Sequence, residues 1–287
     1  MTAIVGRERK MGAYARPGGI VLLDALLADG RRIFTTEDAR TVADALDIQR
    51  SALPGLLQAL AAGGWVRRLR NGLYAVDETR RGGPAPHTFA IATALVQPSA
   101  ISHWSALAYH GLTEQVPRLI TASTTKDVVT PRMRAGRCAS GGNLASVWEI
   151  NGLAIRYLRV QPARFWGFDE VWVDEFSRVR ITDRERTVLD GFLAPEAFGS
   201  MEEVMGVLEE HLGEMDVPRL VAYALRYGRA ATTKRLGYVL ESLGVAADTL
   251  RALREAPVRG YRLLDPQGRE DGRYAATWHL RLNLASS

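Results

Sequence analysis

Residues 18–76 constrain this chain more than any other feature, because three segments of helical apolar spacing precede an Asn-Gly hairpin pattern. The segment GGIVLLDALLADG predicts a helix ending at Gly30, and Thr35-Thr36-Glu37-Asp38 provides a cap and an acidic first turn for a second. Ser51 can cap a third helix, in whose first turn Pro54 costs no intrahelical hydrogen bond. The expected inward-facing residues are Ile20, Leu23, Leu26, Leu27, Ala39, Val42, Leu46, Leu53, Leu56, Leu57 and Leu60.

The segment WVRRLRNGLYAV follows Gly63-Gly64 and predicts two short strands joined at Asn71-Gly72. Both turn residues tolerate the positive φ angles of a type I′ turn, which makes this a strong hairpin signal. Three helices and a hairpin predict a winged helix over residues 18–80, with 35–62 as its helix-turn-helix and the third helix as the DNA reader.

The basic excess of the chain falls in this N-terminal part. Residues 1–85 contain 13 Lys and Arg against 9 Asp and Glu, whereas residues 86–287 contain 24 against 23. Winged helices also serve as protein-binding modules, but a hairpin with three arginines and no acid favours DNA. A basic arm over 1–17 either adds phosphate contacts or is idle. The candidate DNA-binding residues are Thr36, Gln49, Arg50, Ser51 and Gln58 near the reader, Arg67, Arg68, Arg70 and Asn71 in the hairpin, and Arg7, Arg9, Lys10 and Arg16 in the arm.

Residues 81–86 have the Gly and Pro content of a linker, and a second domain is expected over 87–287. The predicted fold class is therefore α+β, an N-terminal winged helix-turn-helix followed by a mixed α/β C-terminal domain. Helices are expected at 87–97, 102–110, 182–193, from 200 onward, 217–227, 232–243 and 247–254, and strands at 119–123, 147–150, 154–160, 178–181, 261–264 and 274–282.

Three segments of the second domain resemble AbiEi-type antitoxins, which also begin with a winged helix. They are AISHWSALAYHGLTEQVP at 100–117, RVRITDRERTVLDGFL at 178–193 and KRLGYVLESLG at 234–244, and the resemblance spans about 18–282. It implies an antitoxin of a type IV abortive-infection system that represses its own operon at operator DNA, for which we expect inverted repeats. It also implies that the second domain counteracts a nucleotidyltransferase-type toxin, directly or indirectly. The residues of interest in these segments are Ser102, His103, Trp104, His110, Asp183, Glu185, Arg186, Asp190, Arg235 and Glu241.

The polar residues of these segments also have structural interpretations. Two histidines seven residues apart, His103 and His110, favour packed and hydrogen-bonded rings over metal ligands, since no further ligands are at hand. Arg186 and Asp190 have the spacing of a helical ion pair, and Thr182 with Glu185 predicts a capping box. The cluster Arg226, Arg229, Lys234 and Arg235 is expected to be solvated, with contact to DNA or toxin as the alternative.

Catalytic patterns are incomplete, so we expect no enzymatic activity, cofactor or metal. The second-domain lysines, Lys126 and Lys234, are preceded two positions earlier by threonine, which excludes the Asp/Glu-x-Lys pattern of a restriction-type nuclease. After Gly141-Gly142, Glu149 is followed by Asn151 where a nucleotidyltransferase needs a second acid. Two rival functions stay open, a stand-alone regulator whose second domain senses a ligand or partner and a metal-dependent nuclease. Without a membrane-length apolar run or a signal-peptide pattern, the expected location is cytoplasmic.

Overall fold

The structure, a computed structural model, describes residues 17–77, 79, 83–134, 147–150 and 152–284. The chain divides into two compact units, Met1–Leu95 with Trp172–Arg178 and Val96–Val171 with Val179–Ser287. Helices and several sheets alternate along it, which confirms the prediction of a mixed α+β fold. In the described part of the chain, every helix is too short or too polar to span a membrane.

The first unit contains a three-stranded antiparallel sheet with strand order β1-β3-β2. Its elements are α1 (Pro17–Ala28), β1 (Ile33–Thr35), α2 (Thr36–Ala45), α3 (Leu53–Ala62), β2 (Val66–Arg70), β3 (Leu73–Val76) and α4 (Thr88–Leu95).

The apolar faces of α1, α2 and α3 form the core of this unit, together with the sheet. One inward-facing prediction is wrong: Leu46 follows the end of α2 and is 36% exposed, whereas Ala43 is buried on that helix. The Thr35 hydroxyl accepts the N–H of Asp38, and the Asp38 carboxylate accepts the N–H of Thr35, so the start of α2 is doubly capped.

The start of α3 differs from the prediction. The capping residue is Ala52, which offers no side-chain acceptor, and Ser51 lies one position too early to cap the helix. Pro54 stands in the first turn as expected.

The β2–β3 turn also differs in detail. Only Gly72 has a positive φ, at 72°, so the turn is not type I′. The strand register shifts between Arg68 and Arg70, and Leu69, the residue at the shift, is buried. The Gly72 carbonyl accepts the N–H of Thr36, which ties the hairpin tip to the start of α2.

The second unit is built on a six-stranded sheet with strand order β6-β7-β5-β4-β9-β8, and a small sheet with order β10-β12-β11 lies near the end of the chain. Its elements are β4 (Ser99–Ile101), α5 (His103–Tyr109), β5 (Ile120–Thr124), α6 (Pro131–Arg134), β6 (Val147–Ile150), β7 (Leu153–Arg159), β8 (Phe168–Trp172), β9 (Arg178–Thr182), α7 (Arg184–Leu193), α8 (Met201–His211), α9 (Val217–Tyr227), α10 (Ala230–Ser242), α11 (Ala247–Glu255), β10 (Arg262–Leu263), β11 (Arg273–Ala275) and β12 (Leu280–Leu282).

The three antitoxin-like segments meet in the core of this unit. Strands β4 and β9 pair in parallel at Ile101 and Ile181, while α5 and α10 both pack against α7. The predicted capping box at 182–185 is wrong by one residue. Asp183 caps α7 by accepting the N–H of Arg186, which leaves Glu185 to bind elsewhere.

Candidate functional site

The exposed face of α3 carries no charged side chain. Because α3 begins at Leu53, the predicted readers Gln49, Arg50 and Ser51 lie in the exposed turn before it. The exposed residues on the helix include Gln58, the amide of which can both donate and accept hydrogen bonds. Pro54, Gly55 and Ala62 make the rest of this face small and apolar, which permits close approach to a flat surface.

Arg50 is engaged by a carboxylate on the preceding helix. Its guanidinium forms a two-pronged pair with Asp44, with Nη2 2.7 Å and Nε 3.1 Å from the two carboxylate oxygens. The hydrogen bond from Arg50 lowers the pKa of Asp44. Both side chains are exposed, and Asp44 engages two of the five N–H donors of Arg50, so the charge of Arg50 is already partly neutralised.

The hairpin arginines fall into two kinds. Arg67 Nε lies 3.0 Å from a carboxylate oxygen of Asp77, and a hydrogen bond from Thr79 together with the Arg67 charge lowers the pKa of Asp77. Arg68 instead donates to the Asn71 amide oxygen at 2.6 Å. Arg70 donates to the backbone carbonyl of Leu95, at 3.1 Å, and to that of Asn71.

These contacts leave two arginine charges at the exposed hairpin held only by neutral acceptors within the described residues. Arg67, Arg68, Arg70 and Asn71 are all exposed, and Thr36 is half-buried at the start of α2. The arm residues Arg7, Arg9, Lys10 and Arg16 lie outside the described residues.

In the second unit, the predicted histidines are hydrogen-bonded within the fold. His103 is buried, and its Nδ1 lies 2.8 Å from the Ser102 hydroxyl, which in turn lies 2.9 Å from that of Ser123. Burial lowers the pKa of His103. His110 Nε2 lies 2.7 Å from the carbonyl oxygen of Thr182, on the strand that leads into α7.

Arg186 lies at the centre of this core with only 2% of its surface exposed. Its Nε donates to Asp190 at 2.9 Å, as the spacing predicted, and its Nη1 donates to the carbonyl oxygens of Trp166 and Arg164 at 2.8 and 3.0 Å. The guanidinium carbon lies 4.5 Å from the Trp166 ring centroid, a cation–π distance. Within the described structure, the second carboxylate oxygen of Asp190 is buried without a hydrogen-bond partner.

The carboxylates at the start of α7 join this helix to α9. Asp183 accepts the hydroxyl of Tyr223 at 2.8 Å, burial raises the pKa of Asp183, and burial with this hydrogen bond raises the pKa of Tyr223 to about 12. Glu185 accepts the N–H of Asp216 and pairs with Arg219. No local pattern marked these α9 partners, because the two helices are about thirty residues apart in sequence.

The expected solvated cluster in the third segment is wrong for two of its members. Lys234 and Arg235 are buried. The Lys234 ammonium donates to the last carbonyls of α11, those of Leu253 and Arg254, and Arg235 donates to the carbonyl of Leu263 at 2.9 Å. Arg226 and Arg229 are exposed as predicted.

Other candidate residues are placed as follows. Glu241 accepts the indole N–H of Trp278 at 2.6 Å and pairs with Arg254, while Trp104 is half-buried and lies 6.4 Å from the Phe198 ring. Glu149 is exposed on β6, whereas its proposed catalytic neighbours Gly141, Gly142 and Asn151 lie outside the described residues. Over the part of the chain that the structure describes, no three His, Cys, Asp or Glu side chains are grouped to hold a metal ion.

Comparison with known proteins supports the fold. No protein-family model matches the sequence, and no curated protein matches it. The structure is similar to that of the RV2827C protein from Mycobacterium tuberculosis, with a TM-score of 0.59 and 17% sequence identity over 94% of this chain and 93% of that one. At this identity the similarity concerns the fold alone.

Proposed function

We propose that the first unit is a winged-helix domain that binds double-stranded DNA and that the chain is an autorepressing antitoxin of the AbiEi type. In this proposal α2 and α3 form the helix-turn-helix, and the β2–β3 hairpin is the wing. The element order and the β1-β3-β2 sheet support it.

The DNA-binding proposal rests on two hairpin arginines whose charges no carboxylate of the described residues neutralises. Arg68 and Arg70 are exposed and bind only neutral oxygens within the described residues, so their charges are free to attract phosphates. Arg67 already faces Asp77, so its transfer to a phosphate would leave a carboxylate exposed to the same DNA backbone. The wing therefore has two strong phosphate contacts and one weaker contact.

Few side chains of the first unit could recognise the base sequence of the DNA. On α3, Gln58 suits adenine, and Pro54 and Ala62 suit thymine methyl groups. Arg50 would contact guanine with the N–H groups that Asp44 leaves free, and its pair with Asp44 lowers its contribution to affinity.

The antitoxin part of the proposal rests on the resemblance of the three segments. Most of their polar side chains bind one another or backbone groups inside the second unit, so they would maintain its fold rather than touch a toxin. Contact with a nucleotidyltransferase-type toxin, if direct, would fall to the exposed residues around them.

Salt-dependent binding to the DNA upstream of its own operon tests the DNA-binding half. Each phosphate contact contributes about 0.9 to the slope of log K against log salt, so R68A/R70A should lower that slope by up to about two units. R67A should lower it by less than one unit, because Asp77 already neutralises part of its charge. The matched control is R251A, an exposed arginine paired with Asp248 on α11.

An unchanged slope in R68A/R70A, or a larger loss in R67A than in the double variant, would refute this assignment of the wing. The antitoxin half is tested separately by co-expressing R68A/R70A with a nucleotidyltransferase encoded in the same operon. We expect growth to be rescued although repression is lost. Loss of rescue with normal folding would leave DNA binding as the whole function.

A further inference from the structure

The small sheet of the second unit presents two tyrosines on an open face. Tyr261 is 46% and Tyr274 59% exposed, and their ring centroids lie 4.6 Å apart at an interplanar angle of 66°. The exposed ring of His279 lies 5.7 Å from Tyr261. Three aromatic rings thus share one surface patch, which we call the tyrosine face.

The strand register explains why these rings point away from the core. Tyr274 is directly opposite Arg281, and the neighbouring pair is Ala275 and Leu280. Successive residues of a strand point to opposite faces, and Leu280 is fully buried in the core of the unit. Tyr274 and Arg281 therefore lie on the outer face.

One arginine lies on the tyrosine face itself. The Arg281 guanidinium lies 5.4 Å from the centroid of the Tyr274 ring, and its Nε is buried without a hydrogen-bond partner among the described residues. Arg259, Arg262 and Arg273 are exposed on or beside the same strands, but Arg262 and Arg273 are opposite Leu280 and Leu282 in the register and so belong to the other side of the strands. Residues 256–284 contain five arginines against three acidic residues, all three of which fall in the connection between β10 and β11.

Exposed large hydrophobic side chains are few in this part of the unit. Among the described residues after β9, they are Leu225 on α9 and the two tyrosines. Protein interfaces are also rich in Tyr and Arg, so a protein partner is one outcome of the test, but exposed aromatic rings beside a guanidinium group suit stacked bases and phosphates.

We propose that the tyrosine face binds unpaired nucleobases of a single-stranded nucleic acid, with Arg281 and the exposed arginines beside the sheet strands on its phosphates. Every base has a π-face, so stacking on Tyr261 and Tyr274 is tolerant of sequence. This site is separate from the double-stranded DNA site proposed for the first unit.

The test measures the anisotropy of fluorescent ten-nucleotide oligo(U) and oligo(dT) at several salt concentrations. All proteins are the full chain carrying R68A/R70A, which removes the proposed wing contribution. In this background Y261A/Y274A should weaken binding at least fivefold, since stacking of one base contributes about 1–3 kcal/mol. Y261F/Y274F should bind within twofold of the background protein, because stacking does not need the hydroxyl.

Y109A provides the matched control, since Tyr109 is 43% exposed in the same unit but lies on α5. Binding of either oligonucleotide that is at least fivefold weaker in Y261A/Y274A than in the background protein supports the proposal. The proposal is overturned if the background protein binds neither oligonucleotide at 50 mM salt, if Y109A loses as much affinity as Y261A/Y274A, or if the phenylalanine variant behaves like the alanine variant. The proposal is also overturned if the tyrosines are needed to bind a protein partner while neither oligonucleotide binds.

Discussion

The buried pair of Arg186 and Asp190 allows the interior of the second unit to be tested quantitatively. Replacing Arg186 with Met keeps an unbranched apolar stem but removes the charge, three hydrogen bonds and the contact with the Trp166 ring. Asp190 then stays buried without its arginine partner, and one of its oxygens already has no partner in the described structure. We expect a loss of about 3–5 kcal/mol in the free energy of unfolding, the usual cost of stranding one member of a buried pair.

The reciprocal change should cost less. In D190N the amide oxygen can still accept from Arg186 Nε, and the guanidinium keeps two carbonyl acceptors and the Trp166 ring. A loss of about 1–2 kcal/mol is therefore expected. In R186M/D190L both charges are absent, so the double variant should be more stable than R186M alone.

Urea unfolding followed by circular dichroism and tryptophan fluorescence measures these values, and Trp166 provides a probe at the site. The R251A variant used above is again the surface control, with a change below about 0.5 kcal/mol expected. The reasoning fails if R186M costs less than 1 kcal/mol, or if R186M/D190L is no more stable than R186M alone.

Three further changes probe other parts of the fold. T35A removes the acceptor that caps α2 and should lower the free energy of unfolding by about 1 kcal/mol in urea titration; a loss below 0.3 kcal/mol would contradict the cap. Burial lowers the pKa of His103, so below about pH 6.5 the unfolded chain binds a proton at this residue that the folded chain does not bind. As the pH is lowered from there to the folded pKa, the free energy of unfolding should decrease by up to about 1.4 kcal/mol per pH unit. Asn tolerates the positive φ at this position, so H103N should fold and should lack the His103 contribution to the pH dependence of unfolding between pH 5 and 7.5. A pH dependence identical to that of the unsubstituted protein would refute the assignment to His103. In G237A the new methyl group would overlap the Trp278 ring, and this overpacking should lower the free energy of unfolding by about 1–3 kcal/mol. Thermal unfolding measures the loss, and an unchanged midpoint would mean that the ring moves aside at no cost.

The sequence predicted the helices well because apolar spacing and capping residues are local signals. Thr35 begins and caps α2 as predicted, and the apolar faces of α1 and α3 are buried. Strands β1, β4 and β8 were missed. Strand β4 is three residues long, and its neighbours β5 and β9 are remote in sequence, so neither length nor alternation marks it.

Buried charges were the other limit of sequence analysis. A run such as Lys234-Arg235 normally indicates a hydrated surface, because burying an unpaired charge is expensive. Here the ammonium and the guanidinium donate to carbonyls of α11 and β10, which the tertiary fold places beside them. Only the packing of α10 against α11 reveals those acceptors, and nothing near residue 234 in the sequence does.

The burial of the antitoxin-like segments also limits which of their residues could contact a toxin. Arg186, Asp183 and His103, three of the residues of interest in those segments, are buried within one core. Substituting them destabilises the unit, which lowers any antitoxin activity whether or not the toxin touches these residues. A surface that contacts a toxin must be sought among exposed residues whose substitution preserves stability, such as Arg226 and Arg229. Loss of rescue in R226A/R229A with an unchanged unfolding midpoint would identify contact, whereas loss of rescue in R186M would identify only the fold.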